Sequence, residues 1–172
     1  MTATESTRPR LSLGPISYYW PNDTVEAFYD EVAESPVDIV YLGETICSKR
    51  NQLRAEDWLA IAERLTEVGK EVVLSTLSLL EAESDLLRLR AICGNDRWLV
   101  EANDMGAVSL LQGKPFVVGH SINVYNDRTL ALLARQGCMR WVLPVELTHE
   151  TLADMQRLRP EGVETEVFAY GR

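Results

Sequence analysis

Three carboxylates and one thiol are the residues whose types and places suggest chemistry: Glu44, Glu101, Glu146 and Cys47 each follow a short apolar run of strand character. Carboxylates drawn together repel one another unless a cation, a base or water compensates, so three of them point to acid–base or divalent-metal chemistry. Cys47 is followed by Lys49 and Arg50, and cations near a thiol favour the thiolate, the form that ligates metal or attacks electrophiles. His120 is a candidate general base, although a lone histidine after a strand more often serves as a hydrogen-bonded structural residue. Ser75, Thr76, Asn103, Asp104, Asn123, Tyr125, Asn126 and Tyr170 occupy the same kind of position. Such residues equally cap helices and close loops, so no catalytic set is fixed. Cys93 and Cys138 read as small buried residues. The three cysteines, 46 and 45 residues apart, form neither a disulfide framework nor a CxxC metal pair.

The elements that must position these groups follow a βα rhythm, short runs rich in Val, Ile, Leu and Tyr alternating with longer amphipathic segments. Strands are expected at Arg10–Gly14, Val37–Leu42, Glu71–Ser75, Arg97–Val100, Phe116–Val118, Arg140–Leu143 and Glu164–Ala169. Helices are expected at Thr24–Glu34, Ala55–Val68, Leu79–Ile92, Met105–Leu111, Asp127–Gln136 and Thr148–Leu158. Asp23 or Thr24 and Asp127 are expected caps, and Gly69 and Gly137 are expected stops. Trp58, Ile61, Ala62 and Leu65 recur at i, i+3, i+4 and i+7, which makes one face of the second helix apolar. DIVYL and EVVLS are apolar on both faces, as in a parallel sheet covered by helices. Seven units without a Gly-rich phosphate loop favour an incomplete TIM-like (β/α) barrel over an open doubly wound sheet, and place the site at the C-terminal ends of the strands. Residues 1–172 read as one barrel-like domain lacking its C-terminal part, with an open strand edge that something covers.

Composition excludes several classes. With 172 residues, 46% of them apolar and 25% charged, the chain has a globular core rather than the make-up of disorder. A net charge of −9 repels a phosphate backbone, so nucleic acid is not an expected partner. No long uncharged apolar run or basic leader occurs, which reads as a cytoplasmic protein without a transmembrane segment.

Tyr41-Leu42-Gly43-Glu44-Thr45-Ile46-Cys47-Ser48-Lys49-Arg50 resembles a signature stretch of the UbiV branch of the collagenase-like peptidase family (peptidase U32). Tyr18-Tyr19-Trp20-Pro21, Leu74-Ser75-Thr76-Leu77, Glu101-Ala102-Asn103-Asp104 and Met139-Arg140-Trp141 through Leu147 are similar in order and spacing. Glu166-Val167-Phe168-Ala169-Tyr170-Gly171 resembles the family's ExFxxG signature, with Tyr170 where peptidase-like members usually carry His. The resemblance implies a barrel-like fold, a 4Fe–4S cluster on four cysteines, and a heterodimer with a UbiU-like protein. The pair would support oxygen-independent hydroxylation of a ubiquinone precursor. Cys47 matches the first cluster cysteine, and the other three ligands lie beyond the final Tyr-Gly, outside these residues. Two other readings stand beside it. One is a peptidase-like barrel hydrolase using the carboxylates, although no Ser/His/Asp set or HExxH motif can be placed. The other is a non-catalytic scaffold that binds a partner.

Overall fold

The alternation of apolar and amphipathic segments becomes seven parallel strands and six α-helices in the computed structural model, which describes residues 8–50 and 53–171. In chain order they are β1 (Ser12–Leu13), α1 (Asn22–Glu34), β2 (Ile39–Leu42), α2 (Ala55–Glu67), β3 (Glu71–Ser75), α3 (Glu83–Cys93) and β4 (Leu99–Ala102). There follow α4 (Met105–Leu110), β5 (Phe116–Val118), α5 (Asp127–Gln136), β6 (Cys138–Val142), α6 (His149–Leu158) and β7 (Glu164–Glu166). Short 3₁₀ turns at Ser48–Arg50 and His120–Ile122 follow β2 and β5.

The strands lie in sequence order, every neighbouring pair parallel. Laid flat at the usual spacing, seven strands would hold β1 about 29 Å from β7. Yet Ser12 Oγ and Tyr41 OH both donate to the Glu166 carboxylate at 2.7 Å, and Arg10 Nη2 reaches Glu164 at 2.9 Å. The sheet is therefore curled into an incomplete TIM-like barrel, and side chains bridge its two edge strands across the interior.

Strand alternation sorts the core. Ile39, Tyr41, Val73, Val117 and Val142 face inward with Leu99, while Val40, Leu42, Val72 and Leu74 face outward onto Val25, Tyr29 and Val32 of α1 and Ile61, Ala62 and Leu65 of α2. Val100, Ala102, Phe116, Val118 and Trp141 face outward onto residues of α3 to α6. Each buried Leu, Ile, Phe or Val contributes roughly 1.5–3 kcal/mol against exposure, so these two outer layers hold the helices to the sheet. Charge also faces inward. Arg140, 2% exposed, donates to Glu164 at 2.7 Å and to Glu71 at 2.8 Å, and Arg10 donates to the same two carboxylates. Burial alone would make the Arg140 guanidinium easier to deprotonate, but Tyr41, Glu71 and Glu164 hold it above its ordinary value.

Several boundaries differ from expectation. α3 begins at Glu83 rather than Leu79, because the Asp85 carboxylate takes the amides of Glu81 and Ala82 and fixes the first turn there. α1 starts after Pro21, which leaves Asp23 inside the first turn. Asn126, not Asp127, caps α5, accepting from the Thr129 amide at 2.9 Å. Gly137 ends α5 and Gly69 follows the second helix with positive φ, as expected. β4 lies two residues further along than Arg97–Val100, and this shift carries Glu101 into the strand. β6 begins at Cys138, so that cysteine is a strand residue, and β7 stops at Glu166.

Candidate functional site

The loop after β2 is drawn tight by its own backbone. Gly43 has φ +130°, and a Cβ there would stand 2.8 Å from the Ser75 carbonyl oxygen, so only glycine lets the loop pass over the end of β3. Thr45 O then accepts from Ser78 N at 2.9 Å and Ser78 Oγ at 2.8 Å, tying this loop to the next. Glu44 Oε1 accepts the amides of Ile46 and Cys47 at 2.9 and 3.1 Å. The thiol of Cys47 is half-buried at the rim. The cations that follow it are directed elsewhere: Arg50 donates to Ser17 O at 2.7 Å and Lys49 approaches Glu81 at 4.0 Å. Behind Glu44, Tyr18, Trp20, Leu53 and Trp58 line a pocket of about 30 Å³. That space suits one or two waters rather than a substrate.

Glu101 faces the barrel interior in register with Ser75 of β3. It is 4% exposed, and Asn103 Nδ2 donates to its Oε2 at 2.9 Å. The Asn103 amide is itself fixed: Nδ2 also donates to Thr76 O at 3.1 Å, and Oδ1 accepts from Ser121 Oγ at 2.9 Å. A Cβ on Gly119 would overlap Asn103 Oδ1 and stand 3.0 Å from Glu101 Oε1, so the bare backbone at the end of β5 makes room for this pair. Burial pushes the Glu101 carboxyl up; hydrogen bonds from Ser75 and Asn103 oppose that, and Glu166 adds to it.

A third group lies where the loops after β5, β6 and β7 meet. Tyr125 OH donates to Glu146 Oε1, and this bond, with the backbone amide of Glu146 and the charge of His120, holds the carboxyl below its usual range. The same bond raises the Tyr125 phenol. His120 packs edge-on against Phe168 with ring centroids 5.3 Å apart. Partial loss of water lowers its imidazole, and Glu146 acts in the opposite direction. Asn123 supports the turn at φ 60°.

Of the four catalytic candidates, His120 and Glu146 are brought into electrostatic contact, while Glu101 sits in a separate buried network and Glu44 closes its own loop. The three glutamates each have a different partner rather than a shared cation. Among the described residues no group of three or more His, Cys, Asp or Glu could hold a metal ion. Asp104 and Asn126 are helix caps, each accepting a backbone amide, at 2.6 and 2.9 Å. Cys93 and Cys138 belong to the outer core, where burial pushes their thiols up to about 11 and about 12. Three thiols so placed do not form the four-thiolate shell of a 4Fe–4S cluster, and the 172 residues alone do not fit that group. Sequence reasoning missed Ser12, Tyr41 and Glu166. The signal was present in Glu164-Thr165-Glu166, an alternation that turns both carboxylates to one face of a strand.

No helix of the described residues is long and apolar enough to cross a membrane. No solved structure matches the chain. The family model for peptidase family U32 matches residues 24–172, from α1 through the last strand and the Tyr170-Gly171 turn. A match over that span, on a barrel whose polar groups gather at the C-terminal ends of its strands, shows that the chain belongs to peptidase family U32.

Proposed function

We propose that this chain is the barrel part of a UbiV-type member of the family, a cytoplasmic iron–sulfur subunit. It would support oxygen-independent hydroxylation of a ubiquinone precursor together with a UbiU-like partner. Cys47 supplies one thiolate to a 4Fe–4S cluster, and the remaining ligands come from outside these 172 residues. The observation that carries the reading is the contrast among the three cysteines: Cys93 and Cys138 are buried in the core, whereas Cys47 stands half-open on the rim loop that bears the UbiV-like stretch. Membership of family U32 supports it at the coarser level. Thiolate ligation is the usual way such clusters are held.

The test is iron and acid-labile sulfide per chain, with an absorption spectrum, after anaerobic co-purification with the UbiU-like partner, for wild type and Cys47→Ala. About four irons per chain, lost in the variant, are expected. Iron that survives the substitution would remove Cys47 from the ligand set. No iron in either protein would leave the chain as a scaffold for its partner.

A further inference from the structure

We propose that the mouth of the barrel is a docking face for a second copy of this chain, the two molecules meeting rim to rim about a two-fold axis. This inference does not rest on the iron–sulfur reading.

The loops that follow β1, β2, β3, β5, β6 and β7 each hold a large apolar side chain out in solvent: Tyr18, Ile46, Leu79, Tyr125, Val145 and Phe168. Tyr19 and Tyr170 add two more rings, and the five aromatic residues are 43% to 100% exposed. At roughly 200 Å² for an aromatic side chain, they present about 600 Å² between them, the upper end for the largest apolar patch on a monomer. The three aliphatic side chains bring the rim to roughly the 800 Å² that each partner gives to a stable interface. Side chains also fix these loops to one another. Arg50 donates to Ser17 O at 2.7 Å, Ser78 Oγ to Thr45 O at 2.8 Å, Asn103 Nδ2 to Thr76 O at 3.1 Å and Ser121 Oγ to Asn103 O at 2.8 Å. Tyr125 OH donates to Glu146, and Phe168 packs on His120, which extends the contacts to the loops after β6 and β7. A surface ordered in advance loses little conformational freedom on docking.

Charge on the rim selects the occupant. The Lys and Arg residues described in these loops, Lys49, Arg50 and Arg54, all follow β2, whereas Glu81, Asp104 and Glu146 follow β3, β4 and β6. Glu44, also after β2, is turned onto the amides of Ile46 and Cys47. β6 lies four strands round the curled sheet from β2, so the basic arc and Glu146 stand on opposite sides of the mouth. A two-fold axis across the mouth sets Lys49 of one copy against Glu146 of the other, and symmetry repeats the contact. A patch complementary to itself is what an isologous dimer needs. Lys49 can make this contact, because its side chain is 83% exposed and only approaches Glu81, at 4.0 Å. The net charge of −9 opposes association weakly, since charges beyond a Debye length of about 8 Å are screened at physiological salt. The edges of β1 and β7 make a poorer face, because Arg10 already bridges to Glu164, and Ser12 and Tyr41 to Glu166.

The test is sedimentation velocity of the purified chain over a concentration series at physiological salt, for wild type, Leu79→Ser combined with Val145→Ser, Lys49→Glu, and Glu146→Lys. Wild type is expected to reach twice the chain mass as concentration rises, and each variant to dissociate roughly tenfold or more readily. Lys49→Glu and Glu146→Lys mixed in equal amounts are expected to recover the dimer, because the mixture sets opposite charges against each other again at both contacts. Misfolded chains would not give that recovery, so the mixture decides the matter even where one variant folds poorly. A wild type that stays monomeric up to its solubility limit, a dimer indifferent to the rim substitutions, or a mixture no tighter than either charge variant alone would overturn the proposal.

Discussion

At the scale of single residues, the βα loops separate groups that a linear reading treats alike. His120 and Glu146 were visible as candidates from their places after strands, but the aromatic that modifies His120 comes from Phe168, 48 residues further on, and no local pattern announces it. The folded imidazole lies below its ordinary value, so its neutral form is favoured by folding. That contribution is present above the ordinary histidine value and is lost as pH falls from there through the lowered folded value. Phe168→Ala should restore water to the ring and raise the His120 midpoint, and Glu146→Gln should lower it further, both read by NMR titration of the imidazole. A midpoint unmoved by either change would sink this account of the cluster. Gly119 was not singled out by sequence at all. A methyl group there must displace the Asn103 amide, and overpacking of this kind costs about 1–3 kcal/mol. Gly119→Ala should lose about that much in urea unfolding, and its Glu101 carboxyl should move further up, away from the ordinary range, once the Asn103 hydrogen bond that opposes burial is disturbed.

At the scale of elements, the outward faces of the strands and the buried face of α2 were legible because apolar periodicity records them directly; Ile61, Ala62 and Leu65 are buried as their spacing requires. What faces the barrel interior was not legible. Glu71, Arg140 and Glu164 come from three strands, and their meeting depends on the curl of the sheet rather than on any local pattern. The network makes an asymmetric prediction. Arg140 has a side chain 3% exposed and joins both carboxylates, so Arg140→Ala leaves two negative charges facing each other inside the sheet. Removing one partner of a fully buried pair costs about 3–5 kcal/mol, and the partial exposure of Glu71 and Glu164 reduces the expectation to about 2–3 kcal/mol. Arg10, 37% exposed, contacts the same pair from the solvent side, and Arg10→Ala should cost about 1 kcal/mol or less. Urea unfolding of the two variants measures the difference, and equal losses would refute the interior network as a source of stability.

At the scale of the whole molecule, the seven-stranded order gives stability a direction. β2 to β6 each have a hydrogen-bonded neighbour on both sides, whereas β1 and β7 have one, and they pair over two and three residues only. β2 and β5 are buried along their whole length between an inner apolar layer and an outer helical one, while every residue of β1 and β7 is half-open. Side chains rather than backbone bonds join the edges, through Arg10 to Glu164 and through Ser12 and Tyr41 to Glu166. Opening an edge therefore breaks few bonds and exposes little apolar surface, so its free energy must lie well below that of global unfolding. Amide exchange followed by mass spectrometry should find Val40, Val73, Val100 and Val117 among the slowest positions, and Ser12–Leu13 and Glu164–Glu166 exchanging earlier. Glu166→Ala removes the acceptor shared by Ser12 and Tyr41, so it should accelerate exchange in β1 and β7 together while leaving β3 and β4 at the wild-type rate. Acceleration confined to β7 would mean that the interior bridge does not couple the two edges.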